Sequence, residues 1–302
     1  MSIQANEEEI TNRLDLTIMR DYKNNKNFMR ATRDRFNQTW KTDSNISHLI
    51  PSKQEKISKL QGVDDGKAVR NIVDYWFEAE VFPSFAVAQA KDYMLAVQKV
   101  MDFHVECDVP VAGQGPILLE TLHHVYSFSV TFSLINKLLK EFNYRKFILL
   151  HMHEPLDSRL IATHGVLIKN ADVESVAIRL KEGWIKELQQ QVTSDSIIVY
   201  MGDISPRALG LPEKKGKRSN FLKLFADQES VMYVQTISSA PILSRLLQAT
   251  HLVLDYPKRE EACLRKWTKG TPLRCAIEDW VFWPALQTGY NEMDASPAMG
   301  EK

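Results

Sequence analysis

Apolar positions along the chain alternate between two periods, and the change of period marks out the elements. Pro116 to Leu122 is an apolar run of strand length, bounded by turn residues. Behind it Val130, Leu134, Ile135 and Leu138 recur at helical spacing, with Ser127 placed as a cap. Gly113 and Gly115 suit the turn that leads into the strand. His123 and His124 therefore fall where a strand ends and a helix begins. Further short apolar runs follow at Phe147 to Leu150, Val166 to Ile168, Ser196 to Met201, Val231 to Ile237 and His251 to Leu254. Helical patterns separate them at Asp172 to Gln191 and Pro241 to Ala249, and a last helix is expected from Leu273 to Leu286.

Strands alternating with helices predict an α/β fold: a mostly parallel central sheet flanked by helices. The first part of the chain differs. Leu14, Ile18, Met19 and Tyr22 form one helical stripe, and Met29, Phe36 and Trp40 a second. Gly66 to Cys107 continues at helical period, with aromatic residues from Tyr75 to Phe85 that suit core packing. The expected organisation is an N-terminal helical segment over residues 1–65, an α/β domain over 66–290 and a disordered tail over 291–302.

Composition narrows the class without fixing it. The chain has 302 residues, 44% hydrophobic and 25% charged, as in ordinary globular proteins. Lys+Arg and Asp+Glu are equal at 38 each, so no global field favours nucleic acid as a partner. Three widely spaced cysteines, Cys107, Cys263 and Cys275, read as reduced thiols. No apolar run is long enough to span a bilayer, and the acidic start Glu7-Glu8-Glu9 is unlike a signal peptide. A cytoplasmic protein with no transmembrane segment is the expectation.

The chemistry-bearing residues gather behind the first strand. A histidine at a strand-to-helix junction can serve as general base, since its unperturbed pKa lies near neutrality, but it needs a group on its other nitrogen to hold the tautomer. Side chains of adjacent residues diverge after a strand, so one of His123 and His124 should face the crevice while the other packs. Between Ser205 and Lys223 the composition turns basic and rich in Gly and Pro: Arg207, Lys214, Lys215, Lys217, Arg218 and Lys223 face only Glu213. Such a loop is either a solvated surface or a dock for an anionic group such as phosphate. Asp203 and Asp255 both end strands; each is a helix cap or, for Asp203, a substrate-binding or orienting group.

The order of parts in Gly113-Gln-Gly-Pro-Ile-Leu-Leu-Glu-Thr-Leu-His-His-Val-Tyr-Ser-Phe-Ser129 resembles the lipid A biosynthesis (lauroyl/myristoyl) acyltransferase family, a branch of the lysophospholipid acyltransferase superfamily. Leu180 to Trp184 before the strand Ile197 to Asp203, Leu243 to Asp255, and the late Ala276-Ile-Glu-Asp-Trp-Val-Phe-Trp-Pro284 fit the same order. The resemblance covers roughly residues 66–287. It implies an acyltransferase with no bound cofactor, taking its donor as a phosphopantetheine thioester on acyl carrier protein or coenzyme A. The acceptor would be a small-molecule amine or alcohol. His124 would be the general base, with His123 as the alternate, Glu120 and Ser129 beside it, and Tyr126, Asp203, Arg207, Lys215, Lys217 and Arg218 binding substrate.

One departure matters. The family places an acid after the histidine in the pattern His-x-x-x-x-Asp/Glu, and here those positions are Phe128 and Ser129. Another acid (Glu120, Asp157 or Asp203) takes its place, a hydroxyl or backbone group holds the imidazole, or the protein binds a carrier or ligand without turnover. His123-His124 is also similar to the His-His-x-x-x-Asp-Gly motif of peptide-synthetase condensation domains, and fails at the same acid. His151, His153, Glu154 and Asp157, with His164, form the one constellation with metal-ligand character. No P-loop, dinucleotide glycine fingerprint or Gly-x-Ser-x-Gly elbow is present.

Overall fold

The computed structural model describes residues 102–151, 173–203, 220–226, 229–236, 239–258 and 260–280. The expected N-terminal helical segment, the tail over 291–302, His153, Asp157, His164 and the basic-loop residues Arg207, Lys215, Lys217 and Arg218 lie outside these residues.

Within them the chain runs β1 (Asp102–Val105), β2 (Ile117–Thr121), α1 (Ser127–Glu141), β3 (Lys146–His151), β4 (Glu174–Arg179), α2 (Trp184–Gln191) and β5 (Ser196–Met201). It continues through β6 (Asn220–Ala226), β7 (Glu229–Thr236), α3 (Ser239–Leu246), β8 (Thr250–Lys258), β9 (Glu261–Lys266) and β10 (Leu273–Ala276), closing on a single 3₁₀ turn, Ile277–Asp279. The sheet order is β4-β3-β5-β2-β8-β10-β6-β7, with β9 pairing β8 and β1 pairing β9. Every pairing is parallel except β6 with β7 and β8 with β9. The α/β expectation therefore holds as a mostly parallel mixed sheet. Its centre is β2, paired in register with β5 on one side and β8 on the other.

Parallel strands buried on both faces read as continuous apolar runs, and β2 does so because each face is covered. Ile117 and Leu119 pack with Val130, Leu134, Ile135 and Leu138 of α1, the stripe the periodicity picks out. Leu118 faces the other way, onto Ile148, Ile198 and Leu243 of α3. The turn into β2 takes the expected form: Gly113 and Gly115 have φ of 88° and 119°. A methyl on Gly115 would be strained by that φ alone.

Three stretches depart from the pattern. Asp172 to Gln191 is not one helix but a strand, β4, followed by the short helix α2. Its apolar residues Val176 and Ile178 sit two apart, which suits a strand as well as a helix, and β4 lies at the sheet edge with Glu174 and Ser175 exposed. Leu273 to Asp279 is β10 and one 3₁₀ turn instead of the start of a helix, because Leu273 and Cys275 alternate inward; the rest of that expected helix, from residue 281, lies outside the described residues. Asp102–Val105 is a strand where helical period was expected to continue to Cys107. No helix among the described residues is long and apolar enough to cross a membrane.

Candidate active site

The parallel order brings the carboxyl ends of β2 and β5 side by side. That rim is where open α/β sheets bind ligands. The pairing runs one residue past the end of β5, with the Gly202 N–H donating to the carbonyl of Thr121, the last residue of β2, at 2.7 Å. The residue after Gly202 is Asp203, and on the β2 side the chain turns out through Leu122 into His123.

Asp203 is fully buried and receives three donors. The backbone N–H of His123 reaches Oδ2 at 2.9 Å, the His123 Nδ1 lies 2.8 Å from Oδ1, and the Trp280 indole Nε1–H donates to Oδ2 at 2.8 Å. Burial, the largest single influence, would raise the Asp203 carboxyl; the charge and hydrogen bonds of His123, with that of Trp280, outweigh it and hold the group below the usual carboxylate range. An ionised Asp203 is acceptor only, so Nδ1 of His123 donates to it, and whenever the ring is neutral its lone pair is on Nε2. The His123 side chain retains 17% of its exposure while Asp203 retains none. One end of the imidazole is thus fixed in the protein and the ring reaches the surface of the rim. That is the arrangement a general base requires.

His124 is placed differently. It is fully buried, stacked on Tyr256 at a ring distance of 4.1 Å and an angle of 6°. Its Nδ1 accepts the Tyr126 N–H at 3.1 Å, and its backbone forms a bridge with Trp280. The adjacent histidines diverge as the strand end dictates, but His123 takes the position expected of His124. A fully buried imidazole stacked on a core tyrosine has the surroundings of a packed side chain.

The other expected residues disperse. Glu120 engages His251 instead of either adjacent histidine, Oε2 to Nε2 at 2.7 Å. Tyr126 is the N-cap residue of α1 and makes no side-chain cap, in place of the expected Ser127, which begins the helix. The Tyr126 ring sits 5.9 Å from that of His124. Ser129 lies in the first turn of α1. Asp255 is drawn into an ion cluster, with Arg265 Nε at 2.6 Å and Arg274 Nε at 2.9 Å, so it caps no helix. His151 ends β3, and no group of three His, Cys, Asp or Glu close enough to hold a metal occurs among the described residues.

Two residues of the site carry no local sequence signal of a role. Trp280 reaches Asp203 from the 3₁₀ turn after β10, and Tyr256 backs His124 from β8. Trp280 falls in the Ala276 to Pro284 stretch, so the order of elements pointed at its segment but not at its indole.

Two buried thiols of the sheet are held protonated. Burial pushes Cys275 well above the usual thiol value, helped by the charges of Asp279, Asp203 and Asp255, and burial with the Glu106 contact takes Cys263 to about 12. Native protein treated with iodoacetamide at pH 8 should leave Cys263 and Cys275 unmodified, and both should react once denatured. Peptide mapping of the alkylated thiols checks this. Rapid native labelling of Cys275 would contradict the placement of β10.

Set against known proteins, the chain matches no family model, and comparison with curated proteins returns no match.

Proposed function

We propose that the protein is an acyltransferase of the lipid A acyltransferase type, moving an acyl or aminoacyl group from a phosphopantetheine thioester to an amine or hydroxyl acceptor. The observation that supports this reading is the pairing of His123 with a buried, ionised Asp203 at the carboxyl ends of two adjacent parallel strands. It supplies the acid absent from Phe128 and Ser129. The donor would arrive on acyl carrier protein or coenzyme A, its phosphate drawn by the basic residues Arg207, Lys215, Lys217 and Arg218.

In the reaction so read, the acceptor O–H or N–H gives its proton to Nε2 of His123 as the acceptor attacks the thioester carbonyl. The imidazolium formed is stabilised by the Asp203 carboxylate, already fixed on Nδ1–H. Collapse of the tetrahedral adduct expels the thiolate, which takes the proton from Nε2, so the base returns to its starting form. His124 does not enter these steps; it keeps the turn rigid from within the core.

The test is thiol release from a panel of acyl and aminoacyl pantetheine, coenzyme A and carrier-protein thioesters, with mixed amine and alcohol acceptors present. Wild type should release thiol in an acceptor-dependent manner, and His123→Ala should not. No release from any thioester would favour the second reading, a carrier- or ligand-binding protein without turnover.

A further inference from the structure

We infer that Gly202 is a positioning residue of the His123–Asp203 pair: its bare Cα leaves room for Glu120 across the end of β5, so that the strand end can lie where Asp203 meets His123. Gly202 is buried, and a methyl group there would meet Oε1 of Glu120 and stand 2.6 Å from its Cγ and 2.7 Å from its Cδ. Such a contact is relieved cheaply only when the obstructing side chain can swing aside.

Glu120 cannot. Its backbone lies between two strands, opposite Tyr200 of β5 and Val253 of β8. Its Oε2 is tied to the buried His251 at 2.7 Å, and the His251 ring is stacked on Trp267 at 5.2 Å and 15°. Turning the carboxylate away would leave His251 without that partner in a site closed to water, at the cost of a buried polar group unpaired. Oε1 of Glu120 itself has no hydrogen-bond partner among the described residues. What holds it against Gly202 is the anchoring of Oε2 and the packing.

The strand end must therefore yield instead. For a methyl carbon now 2.6 Å from Cγ to reach an ordinary carbon–carbon separation of about 3.5 Å, the end of β5 and Glu120 must part by roughly 1 Å. Gly202 is held to Thr121 by the last rung of the ladder at 2.7 Å, and Asp203 is the next residue. A displacement of that size carries the 2.8 Å contact between Asp203 and Nδ1 beyond hydrogen-bonding distance. Gly202 thus keeps the anchored Glu120 from pushing the end of β5, and Asp203 with it, away from His123.

The relation of this inference to turnover rests on the proposed function, so its test reads the pair without substrate. The ¹⁵N–¹H spectrum of the imidazoles, with His123 assigned by its disappearance in His123→Ala, reports the Nδ1–H tautomer and its downfield proton. Wild type and Glu120→Ala should both show them, since shortening Glu120 removes no contact to Asp203. Gly202→Ala should lose them, and Gly202→Ala/Glu120→Ala should regain them because the methyl then has room. Retention in Gly202→Ala, or failure of the double variant to regain the signal, overturns the inference. If Gly202→Ala alone does not fold, a folded double variant carrying the resonance supports it and an unfolded one overturns it. A normal set of spectra from a protein that releases no thiol would sink the proposed function and leave this inference standing.

Discussion

Replacing His123 by alanine is expected to lower thiol release by about 10²–10⁴-fold, the usual consequence of losing a general base, while His124→Ala leaves turnover per folded molecule within about tenfold and lowers stability instead. The contrast follows from burial. His123 presents its ring at the rim with Nδ1 held by Asp203; His124 is enclosed, with its ring against Tyr256. Truncating His124 opens a cavity beside Tyr256 and strips the Tyr126 N–H of its acceptor, together worth about 2–4 kcal/mol. His123→Ala leaves Asp203 with the Trp280 indole and a backbone N–H, so the fold should survive. Initial rates beside urea titrations of both variants separate the two effects. A reversal, with His124→Ala inactive and stable, would assign the base to the wrong histidine.

Asp203→Asn should be nearly as damaging as loss of the histidine, although it changes only one atom. The carboxylate accepts three donors, and an amide at that place has one oxygen and a nitrogen that donates. Facing an NH₂ group, Nδ1 of His123 must give up its proton to Nε2, where the base is needed, and a loss on the order of 10²–10⁴-fold in kcat/KM is expected from the wrong tautomer. The same substitution alters stability against pH. Asp203 is held below its ordinary range in the folded protein, so its contribution is present above about pH 4, the unfolded carboxyl value, and is lost as pH falls toward the folded one. Wild-type melting temperature should therefore fall more steeply below pH 4 than that of Asp203→Asn. Parallel curves would mean that Asp203 is not ionised in the fold.

The centre of the fold is legible in the chain because strands covered on both faces leave an unbroken apolar run. Ile117 to Leu119, Ile197 to Val199 and Leu252 to Leu254 are such runs, and α1 declares itself through Val130, Leu134 and Leu138. Edges are harder. The β4 strand carries only Val176 and Ile178 inward, and that spacing merges with the helix beginning at Trp184. In β9, Glu261 to Lys266, charges flank the buried Ala262, Cys263 and Leu264, so the hairpin with β8 hides in a polar stretch.

The site was half legible. A histidine pair after a strand is a local feature, but its carboxylate stands 80 residues away and arrives through sheet order. Glu120, in the strand itself, competes on sequence alone; it points to the opposite side of the ladder, where His251 takes it. Choosing between His123 and His124 depends on one residue of register beyond Thr121, which no pattern encodes. Met201-Gly202-Asp203 carried the usable signal: a glycine at a strand end marks close approach of another group.

The measurement that bears most directly on the central claim is a double-mutant cycle on thiol release with His123→Ala and Asp203→Asn. Residues that work as one unit are strongly non-additive. The account predicts that the double variant is no slower than His123→Ala alone, because Asp203 acts only through that imidazole. Losses that multiply, or Asp203→Asn retaining wild-type rate, would contradict it.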